Sequence, residues 1–415
     1  MKKLVLILAC ATFATCAFAQ KRVVDEVKSE IRDMNANSGT LRNSLNKIRP
    51  ALKNDETKDD AQTWFLAGKC GFGLYDKCVG ERAVGKPVDE KEMANALIEG
   101  YEYLMQAYKL DSIPELEKDG TPKVDKKTGA VKFKSKHRKD IVSAIGGHVN
   151  DFTQAGNVLY DAKDFLGAAK CWGLYCDFED AKFLGSARPE MVDTVVSQIR
   201  FYQGVAAWQG EDLQGAMKAF ELARKKGRLD KETFDYSMSV AASIPNNDEA
   251  VVAIAKEAYP IHGKKDNTYA KVIVNDLINK EKYDEANGVL DKVIAENPGN
   301  AECLDLKGVL LEQQGKTDEA IEYFNKSIAA DDAYAKGYFD LGRMYFNKAI
   351  KAAEENEKLS GAKLAEITDP LYRQAMPALE KSYKLDPSNN DCKRALINIY
   401  YQLNEEDKLK AIEGN

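Results

Sequence analysis

Apolar and polar positions along this chain recur with a helical period, and small residues punctuate them at near-constant spacing. Ala168, Ala216, Ala250, Ala286, Ala320 and Ala375 are separated by 48, 34, 36, 34 and 55 residues. Four residues after each stands a large apolar side chain: Trp172, Phe220, Ile254, Leu290, Phe324 and Leu379. Twelve residues before the first five stands a small or adaptable residue, Gly156, Gly204, Met238, Val274 and Gly308; Gly342 takes that role ahead of Ala375. Two helices of about 12 to 14 residues, with short turns, fill a period of about 34. A small residue where the first helix crosses the second lets the backbones approach. The large residue one turn further on fills the space beside the next pair. One such pair cannot bury its apolar face alone, so pairs must stack. The pattern predicts an all-α solenoid of helix-turn-helix units.

The best unit, residues 301–334, reads AECLDLKGVLLEQQGKTDEAIEYFNKSIAADDAY. Leu304, Gly308, Leu311, Ala320, Phe324 and Ile328 fall on its apolar face, and Gly315 separates the two helices. Asp318 and Glu319 suit the first turn of the second helix. Its neighbours 267–300 and 335–389 keep the register, the first ending at Pro298 and the second carrying an insertion. Here the chain resembles the tetratricopeptide-repeat (TPR) family. The resemblance is tight over 197–389 (units 197–230, 231–266, 267–300, 301–334 and 335–389) and looser over 61–196. It implies a right-handed superhelical solenoid. Residues 20–60 and 390–415 are expected to cap the ends. WFLAGKCGF and LMQAYKLDS in the first divergent unit echo YFDLGRMYF and LEKSYKLDP in 335–389, so both units are expected to have lengthened helices.

One stretch is not helical in flavour. Residues 119–136 read DGTPKVDKKTGAVKFKSK, where Gly120, Pro122 and Thr128-Gly129 signal turns and Val131 to Lys134 alternate. A small exposed hairpin or loop is predicted within 113–139. Its cations Lys126, Lys127, Lys132, Lys134, Lys136, Arg138 and Lys139 form a local positive feature suited either to simple solvation or to an anionic partner.

The chain opens with Lys2 and Lys3, then an almost wholly apolar or small run from Leu4 to Ala17, then Ala17-Phe18-Ala19 before Gln20. That is the layout of a signal peptide over 1–19, too short for a membrane span. Cys10 and Cys16 sit in poor lipobox contexts, so a soluble exported product, periplasmic in a bacterium, is expected. The full chain carries 60 Lys+Arg against 66 Asp+Glu. Loss of the leader takes two lysines with it and leaves a net charge of −8, which argues against a dedicated nucleic-acid binder. Six cysteines remain, without Cys-x-x-Cys spacing or a nearby His pattern, and read best as small buried apolar residues. None of the usual catalytic or phosphate-binding motifs occurs. No enzyme activity, metal or cofactor is therefore expected.

The TPR resemblance implies that the first helix of each pair lines a concave groove. In the three best units its inward positions are Thr268, Lys271, Asn275, Glu302, Asp305, Val309, Lys336, Phe339 and Arg343. Lys271, Asn275 and Lys336 match part of the clamp that some relatives use for a peptide carboxylate. Leu306 and Asp340 break the match, since an acid there would repel a carboxylate. A protein or peptide partner is expected in this groove. The alternative is a glycan- or cell-wall-binding helper using Tyr160, Trp208 and Phe339 or the basic loop. Signal peptide, lysine-rich composition and repeat style are similar to those of secreted TPR proteins of Bacteroides-type bacteria.

Overall fold

The computed structural model describes residues 20–33, 35–111, 113–126, 129, 131–264, 266–359 and 361–414. Residues 1–19, expected above to be a signal peptide, and Lys127 lie outside the described residues. The chain forms two compact units, Met1–Ile244 and Pro245–Asn415. The first holds α1 (20–30), α2 (Ser38–Ile48), α3 (Ala61–Ala83) and α4 (Glu90–Leu110). A short β arm with β1 (Ile113–Pro114) and β2 (Phe133–Lys134) follows. The unit continues with α5 (Arg138–Gly147), α6 (Asp151–Asp161), α7 (Phe165–Asp177), α8 (Asp193–Gln209), α9 (Leu213–Lys225) and α10 (Lys231–Ala242). The second unit holds α11 (Asp248–His262), α12 (Thr268–Asn279), α13 (Tyr283–Glu296), α14 (Ala301–Gln313) and α15 (Thr317–Ala330). It ends with α16 (Ala335–Glu355), α17 (Ala362–Leu385), α18 (Asn390–Gln402) and α19 (Glu406–Glu413). Within each unit, helices pack as antiparallel pairs and each pair packs on the next. The fold is an all-α repeat solenoid.

The predicted crossing points are real contacts. A Cβ placed on Gly308 would lie 2.5 Å from Phe324 and one on Gly204 2.7 Å from Phe220. On Gly342 it would lie 2.5 Å from Leu379, and on Gly68 2.6 Å from Leu104. Phe220, Phe324, Leu379 and Leu104 are fully buried. The backbones can close to this distance only because the side chain is missing. In the lengthened units, α3, α4, α16 and α17 run 21 to 24 residues, as the insertions imply.

Capping repeats with the same regularity. Asp60, Asp89, Asp164, Asp212, Asp230, Asn300 and Asn389 each accept a backbone N–H from two or three residues on. Each such cap is worth about 1 kcal/mol. The turn inside a pair needs a left-handed residue. Gly315 supplies it at φ 73° in one unit; elsewhere Lys163, Glu211, Glu281 and Asn404 are held there at φ 56° to 64°.

Two sequence expectations are corrected. Ala250 is half-exposed, whereas Ala255 is fully buried. Because α11 starts at Asp248, one residue late for its unit, Ala250 leaves the crossing and Ala255 is buried there instead, while Ile254 is buried as expected. Arg138 and Lys139 belong to α5 rather than to a loop. The arm itself is more than a hairpin. Glu115 N donates to Lys132 O, Lys123 N to Glu115 O, and Lys132 N to Lys123 O, each at 2.7 Å. This closed triangle of backbone bonds joins three short strand segments. At the arm's base Asp111 accepts the backbone N–H groups of Lys136, His137 and Arg138 at 2.7–3.0 Å.

Candidate partner-binding site

In the second unit the expected inward residues sit on α12, α14 and α16, where consecutive first helices meet side by side. Cross-helix ion pairs dominate this face. Lys271 meets Glu302 at 2.5 Å, Lys336 meets Asp305 at 2.6 Å, and Arg343 grips Glu312 with two bonds of 2.7 and 2.6 Å. All three pairs join residues 31 apart in sequence. Thirty-one is one repeat less one helical turn, so each pair links a residue on one first helix to a residue one turn earlier on the next. Lys336 also reaches Asp340 at 2.5 Å, and Arg343 bonds Asp340 at 3.1 Å.

Asp305 and Asp340 are buried, so their charges act through little water. Burial, with Asp340 beside it, holds the Asp305 carboxyl above the ordinary range, although Lys336 pulls the other way. Asp305 Oδ1 is enclosed without a hydrogen-bond partner. Of the remaining expected positions, Thr268 and Asn275 are exposed, while Val309 and Phe339 are half-buried, Phe339 against the core of α16 to α19. The three cations that resemble part of a carboxylate clamp, or flank it, are thus already engaged by acids of the same face.

The first unit contains what the sequence analysis passed over. Of the six positions that the same offsets mark as inward in units 149–182 and 197–230, Asn150, Thr153 and Gln198 stand apart, whereas Asn157, Phe201 and Val205 come together. The latter three line a cavity of about 510 Å³ together with Tyr160, Asp161, Trp172, Tyr202, Glu232 and Tyr236. Trp172 and Phe201 are buried and form its floor; Tyr160 and Tyr236 are half-buried walls; Tyr202 is exposed. The rings are inclined rather than coplanar. Tyr160 and Trp172 have centroids 5.6 Å apart at 38°, Trp172 and Tyr202 6.1 Å at 44°, and Phe201 and Tyr236 5.7 Å at 68°. Trp172 Nε1 donates to Thr153 O at 3.3 Å, which fixes the indole. The signal available in sequence was the shared offset, together with Tyr202 and Tyr236, which stand two residues before Gly204 and Met238. Trp208, by contrast, packs edge-on to Tyr236 at 5.5 Å and does not line the cavity.

The basic arm is divided in its availability. Arg138 lies 4.2 Å over the Tyr108 ring and 5.3 Å from that of Phe133, which engages its guanidinium. Lys132 lies 3.9 Å from Asp125, and Lys136 reaches Gln62 at 3.4 Å. Lys126, Lys134 and Lys139 are exposed. His137 is buried and stacked on Phe65 at 4.3 Å. Cys70, Cys78, Cys171, Cys176, Cys303 and Cys392 are buried free thiols. Among the described residues no group of His, Cys, Asp and Glu could hold a metal ion, and no helix is long and apolar enough to cross a membrane.

Residues 272–335 match a family model described as tetratricopeptide repeat. No curated protein matches the chain. Among solved structures, a TPR-repeat protein of Bacteroides fragilis aligns at 16% identity over 61% of this chain and 98% of its own, with a TM-score of 0.31. MamA from Desulfovibrio magneticus aligns at 15% identity over 47% and 97%, with a TM-score of 0.34. The human IFIT1 dimer solved with m7Gppp-AAAA aligns at 12% identity over 82% and 71%, with a TM-score of 0.37.

Proposed function

We propose that this chain, which is a tetratricopeptide-repeat protein, is an exported, non-enzymatic scaffold that holds a peptide segment of a protein partner against the inward face of its first helices. The fold is one used for protein–protein interaction, and it ordinarily carries no chemistry. The observation that carries the finer reading is the cavity in the first unit. Positions given by one repeat offset on α6 and α8 converge there with Glu232 and Tyr236 of α10 on a single concave, partly apolar space. Its size is that of a pocket for a side chain or small ligand. Aromatic rings with hydroxyl groups at such a surface offer area to a ligand at low entropic cost. The basic start, apolar run and Ala17-Phe18-Ala19 support export, with the envelope as the place of action.

The test is crosslinking capture from envelope fractions with the mature protein and with Tyr202→Ala. A protein captured by the first and lost with the second supports the reading; capture indifferent to Tyr202 moves the site elsewhere. A glycan-binding role is the second reading, favoured by Tyr160 lining the cavity. It predicts retention on cell-wall polysaccharide and no protein crosslink.

A further inference from the structure

The ladder of ion pairs in the second unit defines what each inward slot ordinarily holds. The fifth residue of one unit and the second residue of the next, 31 apart, carry opposite charges: Lys271 with Glu302, and Asp305 with Lys336. In the first unit the same two slots, again 31 apart, hold Phe201 and Glu232. The acid is kept, but the cation across from it is replaced by a ring. Glu232 has only a long 3.4 Å contact to Arg228 of its own surface, and its side chain is 58% exposed. Asp161 stands at the cavity as a second exposed carboxylate. No lysine or arginine lines this cavity.

The geometry points to this cavity as a receptor for one basic side chain, arginine above all, from the partner's peptide; the inference rests on the groove reading above. Rings inclined at 38° to 68° to one another make walls around a volume rather than a flat platform. Such walls present negative ring faces to a cation, and carboxylates at the rim complete its neutralisation. A guanidinium suits the site better than an ammonium because it stacks on rings and is less strongly hydrated. The molecule already makes this contact once nearby: Arg228 lies 4.1 Å over the Phe201 ring. Arg228 covers one face of Phe201 and reaches Glu232 only at 3.4 Å, so the incoming side chain would add a second cation on the cavity side of this step, between Glu232 and Asp161.

The test uses the mature full chain and two blocked pentapeptides, Gly-Gly-Arg-Gly-Gly and the same peptide with citrulline, which keeps the shape and loses the charge. The indole Nε1–H signal of Trp172, one of three tryptophans, reports occupancy in a titration followed by NMR. The expected result is a saturating shift with the arginine peptide and at least tenfold weaker binding of the citrulline peptide. Asp161→Asn with Glu232→Gln should weaken the arginine peptide at least fivefold, and Tyr202→Ala should weaken it comparably. Both sets alter exposed side chains, and because Tyr202 also packs on Trp172 and Phe201, an unchanged thermal unfolding midpoint is required of each variant before its binding is read. Equal binding of the two peptides, or binding that ignores the carboxylates, overturns the proposal. So does a shift produced by a chitin oligosaccharide and by neither peptide. If envelope capture still depends on Tyr202 while arginine and citrulline are not distinguished, the groove reading stands and only the basic-residue inference falls.

Discussion

Replacing Gly308 by Ala tests the crossing geometry on which every repeat depends. In a helix interior the change alone favours the folded state by about 0.5–1 kcal/mol, because Gly loses more backbone freedom on folding. Against that, the new methyl would sit 2.5, 2.7 and 3.0 Å from three atoms of the Phe324 ring. Phe324 is fully buried, so the ring cannot swing into water. Overpacking of this kind costs about 1–3 kcal/mol. The net expectation is a loss centred on about 1 kcal/mol and reaching at most about 2.5 kcal/mol. Gly288 is the internal control: it lies in the interior of α13, and a Cβ there meets nothing within 4 Å. Gly288→Ala should gain about 0.5–1 kcal/mol, since only the entropic term remains. Urea unfolding followed by far-UV circular dichroism reads both, and the opposite signs matter more than either magnitude. Phe324→Leu, costly by itself, should couple favourably with Gly308→Ala in a double-mutant cycle. A Gly308→Ala protein at least as stable as the parent would refute the close approach.

The turn residues give a second prediction. Glu211→Gly, at φ 64°, should be neutral to stabilising by up to about 1 kcal/mol, and Gly315→Ala, at φ 73°, should cost about 1–2 kcal/mol by thermal unfolding. Lys336→Met should destabilise by roughly 2–3 kcal/mol. That is near the low end for breaking a buried pair, because Lys336 is partly in water and Arg343 still neutralises Asp340; an unchanged denaturation midpoint would mean the ladder is cosmetic. For His148, burial opposes the charged form, but the bonds to Asp76 and the Ala144 carbonyl win and raise its pKa above 6.5. Its stabilising contribution is therefore complete below about pH 6.5 and is lost as pH rises through the folded value. Asp76→Asn should flatten that part of the stability–pH curve. Burial pushes the Cys70, Cys171 and Cys176 thiols up to about 12 and Cys303 and Cys392 to about 11. Ellman's reagent should accordingly label the folded protein slowly and the urea-unfolded protein at once.

The crossing glycines were legible because each repeats its partner at a fixed distance: Gly308 with Phe324 and Gly204 with Phe220 both stand 16 residues apart. Periodicity reports a contact that recurs in every unit. It weakened at 231–266, where α11 begins a residue late and Ala250 is left half-exposed, although Ile254 is still buried. The turn signals of the arm announced a hairpin, but the triangle at Glu115, Lys123 and Lys132 depends on pairing between segments that no local pattern records. The groove is the instructive case. Its inward offsets were read from the units most regular in sequence, and these turn out to neutralise their own charges. The open cavity spans the looser unit 149–182 and unit 197–230, where Phe201 stands at a ladder position and Tyr202 beside it. Nor could composition show that Arg138 would be spent on Tyr108 rather than offered to an anion.

The most direct test of the central claim is site-specific photocrosslinking in envelope fractions, with the photoreactive residue at position 202 in one protein and at position 218 on exposed α9 in another. The account predicts a discrete protein adduct through 202, mapped to a segment containing a basic residue, and none through 218. Adducts of equal yield at both positions, or at 218 alone, would contradict it.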